Sequence, residues 1–403
     1  MSDESADDES TVVRGQPDTA GAVALLNEAY GDWGDEALFA WKYDDYPGYD
    51  PERCFSISAG GELAAFRRLF DRAVRGRESF DLFVLGDTCV APAHQGRGLY
   101  SALHAETTAA ARESGADCSA TFNRRGTITF EANRDRGWDW RPLPLRLRVL
   151  SPSVVLPEYA SLALDDESRL ARLLSRYGDR VEFRLADGPL RADRLVSTGE
   201  SPRSGGPAVP VPLPSRLLEV GIEAVVGDPV DAVRRRLAGG YRDPAPAVRT
   251  TVRESFDDDE RAEIGALYDD VLDRYDLHFR RNEATVRHLL DHPTLVGTVT
   301  ARRGDDLVGF APVCLKRSGD VLEAHALDFL TRDEGAVGPL AASVESLARA
   351  QGAHAVVLVT DRDPGPRWAA VDRQVLMWDS YGTDMDRLAD DDLFVGFYDV
   401  EMG

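Results

Sequence analysis

VAPAHQGRGLYSALHAE, residues 90–106, is the stretch whose reading decides the fold. The run before it, DLFVLGDTCV, is strongly apolar and reads as a strand. After Pro92 come Gln95, Gly96, Arg97 and Gly98. A helical pattern follows, with Leu99, Ala102 and Leu103 on one face. The first turn of a helix presents amides without internal partners and the positive end of the aligned peptide dipoles. Glycines there let the backbone approach a ligand with no Cβ between them. Arg97 adds a full positive charge. Such a turn suits phosphate oxygens. It is neither common nucleotide fingerprint. G-x-x-x-x-G-K-[ST] is absent, and the third glycine of G-x-G-x-x-G is missing after Gly96 and Gly98. An ordinary strand-to-helix turn is the alternative on this stretch alone.

The electropositive turn sits in an acidic chain. The 403 residues carry 70 acidic against 47 basic side chains, a formal charge of -23, and the only lysines are Lys42 and Lys316. Acid-rich, lysine-poor surfaces suit a salt-loaded cytoplasm, where salt screens self-repulsion. An acidic protein from a GC-rich genome is the alternative. Either way general nucleic-acid binding is disfavoured, because phosphate contact needs a basic face. No apolar run reaches about 18 residues, so no membrane span is expected. The start, MSDESADDES, is acidic where a signal peptide would be basic and then apolar. Residues 1–10 read as a disordered tail, and a cytoplasmic location is expected. Cys54, Cys89, Cys118 and Cys314 are widely spaced and the seven histidines are scattered. Neither a disulfide framework nor a metal site is expected.

Upstream of the turn, STVVRG reads as a short strand. DTAGAVALLNEAYGD reads as a helix capped by Asp18 or Thr19, and DEALFAWKY as another ending near Pro47. CFSISA and LAAFRRLFD read as strands around a Gly60-Gly61 hairpin. Downstream, an alanine-rich helix runs to about Ser114, DCSATFN reads as a strand, and LPLRLRVLS as the strand that closes the unit. Strands followed by strand–helix–strand argue for a mixed α/β sheet. STGESPRSGGPAVPVPLPSR, residues 197–216, reads as a linker or long loop, and DDESRLARLLSRYG as the one convincing helix between 151 and 246. From about 247 the pattern restarts. TTVRES and DDDERAEIGALYDDVLDRY echo the first strand and helix, and NEATVRHLLDHP echoes EALFAWKYDDYP. Asp306 to Phe310 echo Glu62 to Phe66, and LARAQGAHAVVLVT lies over TTAAARESGADCSATFN at an offset of 237.

VAPAHQGRGL followed by a helix resembles the acetyl-CoA signature of the GNAT acetyltransferases: Gln or Arg, two residues, Gly, one residue, then Gly or Ala. Gln95 and Gly98 match, and Tyr100 departs at the last position. SATFNRRGTITFEANRDRGWDW resembles the family's second motif, a strand ending in Asn, a short helix and a Gly-aromatic pair, met by Asn123, Gly137 and Trp138. FAWKYDDYP is similar to an element of members with two such units. The resemblance covers about residues 11–150, and 247–382 more weakly. It implies an α/β (mixed α+β) fold: a GNAT-like central mixed sheet flanked by helices, duplicated, with an intervening segment. The implied domains are a catalytic acetyl-CoA-binding unit over 11–150, a connecting segment over 151–246 and a degenerate second unit over 247–403.

The resemblance further implies an N-acetyltransferase. It would move an acetyl group from acetyl-CoA, the co-substrate, to an amine of a small-molecule or peptide acceptor by direct attack in a ternary complex. In the family, strands four and five splay after a bulge and the pantetheine arm lies in the gap. The backbone of Cys89, Val90 and Ala91 would pair with its amides. The amides of Gln95, Gly96, Arg97, Gly98, Leu99, Tyr100 and Ser101 would hold the pyrophosphate, and Asn123 would reach the pantetheine. An N–H near Val90 would stabilise the oxyanion. Many relatives protonate the leaving thiolate with a tyrosine seven residues after the Asn; here Phe130 stands there. Tyr100 is the substitute candidate for the acid, and Asp87 or a water chain for the base. His94 reads as shaping the loop and His104 as lying on the helix surface. At the 237 offset the turn falls on Arg332, Asp333, Glu334 and Gly335, and Asn123 on Thr360. Two carboxylates beside a pyrophosphate repel it, so the second unit is expected not to bind acetyl-CoA. The competing readings are a non-catalytic CoA-binding or scaffold protein, and an aminoacyl or peptidyl transferase with tandem GNAT units. The missing basic face disfavours the last.

Overall fold

The computed structural model describes residues 11–163, 181–185, 187–191, 195, 209–212, 248–371 and 374–402. In chain order its strands are β1 (Val12–Arg14), β2 (Cys54–Ala59), β3 (Glu62–Gly76), β4 (Phe80–Val90), β5 (Cys118–Arg124), β6 (Asp139–Pro142) and β7 (Leu145–Val149). Next come β8 (Val181–Leu185), β9 (Gly188–Arg191), β10 (Val209–Pro212), β11 (Arg249–Arg253), β12 (Leu277–Phe279), β13 (Leu295–Arg303) and β14 (Asp306–Ser318). The last are β15 (Val321–Ala326), β16 (Leu330–Thr331), β17 (Ala355–Val359), β18 (Ala369–Val371), β19 (Gln374–Ser380) and β20 (Leu393–Phe394).

The local elements form for the reasons their residues give. Asp18 caps the helix Thr19–Tyr30, its carboxylate accepting from Gly21 N at 2.9 Å. Gly60 and Gly61 take φ of 63° and 89° and turn β2 into β3. Leu99, Leu103, Ala110 and Ala111 of the helix Leu99–Glu113 pack on Phe55, Ile57, Leu69, Phe83 and Leu85, forming the core on one face of the first sheet.

The chain divides into two compact units, each discontinuous in sequence. One combines the chain up to Arg141 with Leu272–Pro293 and the segment from Val375 on; the other combines Pro142–Val271 with Thr294–Gln374. The first holds a mixed sheet ordered β1-β2-β3-β4-β5-β19-β6, with β12 beside β3 and β20 beside β12. The second holds a mixed sheet ordered β11-β13-β14-β15-β17-β7-β18, with β16 beside β14. The directions agree position by position along the first five strands: three antiparallel pairings, then one parallel pairing, β4 with β5 and β15 with β17.

Two segments therefore lie elsewhere than their sequence suggests. LPLRLRVLS does form a strand, but β7 does not close the first sheet. It pairs with β17 and β18 in the second. In the first sheet the place between β5 and β6 is filled by β19, from the far end of the chain. The helix Glu283–Leu290, within NEATVRHLLDHP, packs in the first unit and not the second. There the ring of His288 stacks on Trp41 at 4.6 Å, donates from Nε2 to Trp41 O at 2.6 Å and accepts at Nδ1 from the Tyr398 hydroxyl at 2.8 Å. The acidic tail, the helix read in DDESRLARLLSRYG and all of residues 197–216 except β10 lie outside the described residues.

A fragment of residues 11–150 lacks β19, which leaves β5 and β6 without their shared neighbour. It is expected to melt without a cooperative transition by circular dichroism and to bind a hydrophobic dye, where the whole chain melts sharply.

Candidate functional site

The site is built on an irregularity in β4. β3 and β4 pair in register from Val74↔Phe80 to Arg68↔Gly86. Phe66 then faces Cys89, so Arg67 alone spans Asp87 and Thr88. The extra residue is a β-bulge. Asp87 takes φ 47°, the one non-glycine with positive φ among the described residues, which costs on the order of 1 kcal/mol.

Before the bulge β4 has already left β5. The two pair in parallel at Leu82↔Cys118, Phe83↔Ser119 and Val84↔Ala120 and no further, although β4 runs to Val90 and β5 to Arg124. One side-chain bond crosses the gap, from Thr121 Oγ1 to Leu85 O at 3.3 Å. The far edge of β4 keeps its partners, with Cys89 and Val90 paired to β3 and Ala91 N donating to Ala64 O at 2.9 Å. Cys89, Val90 and Ala91 have no β5 partner among the described residues.

Side chains from several elements hold the bulge. The Asp87 carboxylate accepts from Lys42 Nζ at 2.7 Å, from Trp33 Nε1 at 3.1 Å and from the Tyr43 hydroxyl. Burial first, and Asp87 second, hold the Tyr43 phenol well above its usual range, so it stays a donor. The Tyr30 hydroxyl donates to Thr88 O at 2.5 Å, and Arg67 Nε to Thr88 Oγ1 at 2.8 Å. Burial, with Asp87 adding, pushes the Cys89 thiol up to about 12, which disfavours the thiolate.

The gap ends at the glycine turn. Pro92–His94 form a single 3-10 turn, and Gly96 and Gly98 take φ of 75° and 82°. An added Cβ at either glycine would meet no atom within 4 Å. The constraint is therefore on backbone conformation, and the space above stays open. Gln95 to Gly98 are exposed, while Leu99 is buried in the core. Ala102 N is the first amide of the helix Leu99–Glu113 to find a carbonyl of its own, Gly98 O at 3.0 Å. The amides of Leu99, Tyr100 and Ser101 precede it, and no acidic residue lies in the first turn. Arg97 Nη1 donates to His94 Nδ1 at 2.7 Å.

The remaining sequence candidates flank the gap. Asn123 ends β5 half-buried, its Nδ2 3.5 Å from Met377 Sδ on β19. The Tyr100 ring lies 5.0 Å from the Arg67 guanidinium and 5.6 Å from that of Arg136. His104 faces inward, contrary to the surface position expected for it. Burial first, then Arg67 and Arg136, lower it to about 4. Phe130 is buried and packs edge-on against Trp140, 5.6 Å between centroids. The sequence did not single out Trp33, Lys42, Tyr43, Arg67 or Thr88 as site residues. One signal was available for Lys42: it is one of two lysines in the chain, and it is buried.

The turn of the second sheet is closed by ion pairs. Arg303 grips Asp333 with two nitrogens at 2.7 and 3.0 Å, Arg362 holds Glu334 at 2.7 Å and Arg332 holds Asp270 at 2.6 Å. Among the described residues no cluster of three or more His, Cys, Asp or Glu could hold a metal ion, and no helix is long and apolar enough to cross a membrane.

Residues 15–140 match the acetyltransferase (GNAT) domain family. No curated protein matches the chain. Among solved structures it is similar to a GCN5-related N-acetyltransferase from Kribbella flavida, at 15% identity and TM-score 0.47, over 92% of this chain and 70% of that one. A GCN5-related N-acetyltransferase from Anabaena variabilis gives 10% identity and TM-score 0.47, over 91% and 72%. The N-myristoyltransferase of Saccharomyces cerevisiae with bound myristoyl-CoA gives 10% identity and TM-score 0.53, over 93% and 79%. The last likeness is one of fold: mixed sheets flanked by helices, as the sequence implies.

Lys42→Met would leave the Asp87 carboxylate buried without its ion partner. It is expected to cost about 3 kcal/mol in denaturant unfolding, and Lys42→Met with Asp87→Asn should recover part of the loss. For His104 the folded state resists a proton that the unfolded chain accepts near its ordinary 6.5. Stability should therefore fall as pH drops from about 6.5 toward 4. A series of melting temperatures should show this slope, and His104→Gln should flatten it.

Proposed function

We infer that the first unit transfers an acyl group from acyl-CoA, with acetyl-CoA as donor, to an amine of a small-molecule or peptide acceptor. One observation carries the reading: a stretch of β4 without a β5 partner leads directly into a turn of exposed residues with no acid in the first helical turn. Pantetheine amides would pair along Cys89, Val90 and Ala91, and Asn123 would border the arm. The amides from Gln95 through Gly96, Arg97, Gly98, Leu99 and Tyr100 to Ser101 would hold the pyrophosphate, with Arg97 adding charge. An amine held against the thioester attacks directly, and an amide near Val90 receives the oxyanion.

Asp87 acts in this reading as the anchor of the bulge. Its carboxylate is already held by three donors, so a water chain takes the proton from the amine. Tyr100 is the candidate acid among the sequence choices; Tyr100→Phe would lower turnover if it protonates the thiolate and leave it unchanged if the ring only packs. The second sheet is read as a duplicated unit that has lost the carrier, since its turn is filled by the chain's own ion pairs. The acidic, lysine-poor composition supports a salt-rich cytoplasm as the working environment. A second reading, a CoA-binding protein without catalysis, is favoured by Phe130 where relatives carry their acid.

Titration with acetyl-CoA is expected to give saturable heat at one site per chain. Gly98→Glu should abolish it, because a side chain is strained at that φ and a carboxylate would face the pyrophosphate. Thiol release with a panel of amines in molar salt separates the two readings: steady release marks an enzyme, and binding without release marks a carrier-binding protein.

A further inference from the structure

One polar cluster beside the gap is not used by the reading above. Arg67 is 1% exposed. Its guanidinium meets Thr88 Oγ1 at 2.8 Å, Thr107 Oγ1 at 3.0 Å, His104 Nδ1 at 3.4 Å and the Tyr100 ring at 5.0 Å. No carboxylate is among these partners. Burying a charge without a counter-ion is costly, and burial pulls Arg67 below the usual guanidinium range. The titratable and charged groups that act on it are Tyr100 and His104 of the helix Leu99–Glu113, Tyr30 and Arg136.

Thr88 is half-buried, on the part of β4 beyond its last pair with β5. Its Oγ1 accepts from Arg67, and its own proton has no acceptor among the described residues. We propose that the Thr88 hydroxyl, polarised by the buried Arg67, donates a hydrogen bond to the sulfur that leaves the carrier, a task Phe130 cannot perform. Thr88 is then a catalytic residue and Arg67 its positioning residue. The proposal rests on the acyl-CoA reading of the gap. In the step, the amine nitrogen forms the C–N bond, the C–S bond breaks and its electron pair goes to sulfur. The nitrogen's proton leaves to water, and the Thr88 hydroxyl and the Arg67 charge hold the thiolate.

The test uses free CoA and the full chain. Free CoA titrated in the same buffer gives the reference ionisation of its thiol. The ultraviolet thiolate absorbance of bound CoA should show ionisation about one pH unit lower, a tenfold shift. Thr88→Val and Arg67→Met should return the thiol to its free value, and Thr88→Ser should keep the shift. Thr88→Val should also lower kcat by about tenfold or more while leaving KM for acetyl-CoA nearly unchanged. Arg67→Met removes a buried charge, so Thr88→Val, close in shape to the native residue, guards against a folding defect. An unshifted thiol on the wild-type chain overturns the proposal and spares the gap reading. So does a shift that survives Thr88→Val. Absence of any heat with CoA overturns both.

Discussion

A strand can leave its neighbour only by leaving backbone groups without partners, and β4 does so beyond Val84, in the stretch that carries the Asp87–Thr88 bulge. The rest of the first unit supports that departure. Thr19–Tyr30 supplies Tyr30, the segment after it Trp33, and the turn Ala40–Asp44 supplies Lys42 and Tyr43. β3 supplies Arg67 from the strand opposite. With the bulge held, the amide edge of β4 stays in place while β5 moves away. In the proposed reading a ligand would find an edge already set, with little ordering left to oppose binding.

Much of this is local and was legible. The strand, glycine turn and helix of residues 80–113 follow from apolar pattern and backbone freedom, because each depends on neighbours in sequence. The Asp18 cap and the Gly60-Gly61 hairpin are legible for the same reason. The bulge supports were not, since they come from residues 30, 33, 42, 43 and 67 and meet only in the fold. Arg67 in LAAFRRLFD looks like a solvent-facing charge on a strand, yet the helix Leu99–Glu113 covers that face. LPLRLRVLS carries the alternation of a strand but no mark of the sheet it enters. The positions of β7 and β19 are set by tertiary pairing, which period-two patterning does not encode.

The two sheets show how one architecture treats its strand-to-helix turn in opposite ways. In the first, the turn is open, its glycines at positive φ and its acids absent. In the second, Asp333 and Glu334 stand at the helix start and arginines neutralise them. Arg303 holds Asp333 there in a bidentate pair. Charge and glycine content, more than the sheet itself, distinguish the two turns.

The placement of Lys42 has a chemical corollary. Activated thioesters modify amines without any catalyst, and lysine is the side chain they reach. Of the two lysines here, Lys42 is buried against Asp87, and Lys316 lies at an exposed position. Arginine carries the rest of the cationic surface and stays protonated, so it is a poor nucleophile. If the proposed acyl-CoA reading holds, so lysine-poor a chain would offer reactive acyl donors few amines of its own.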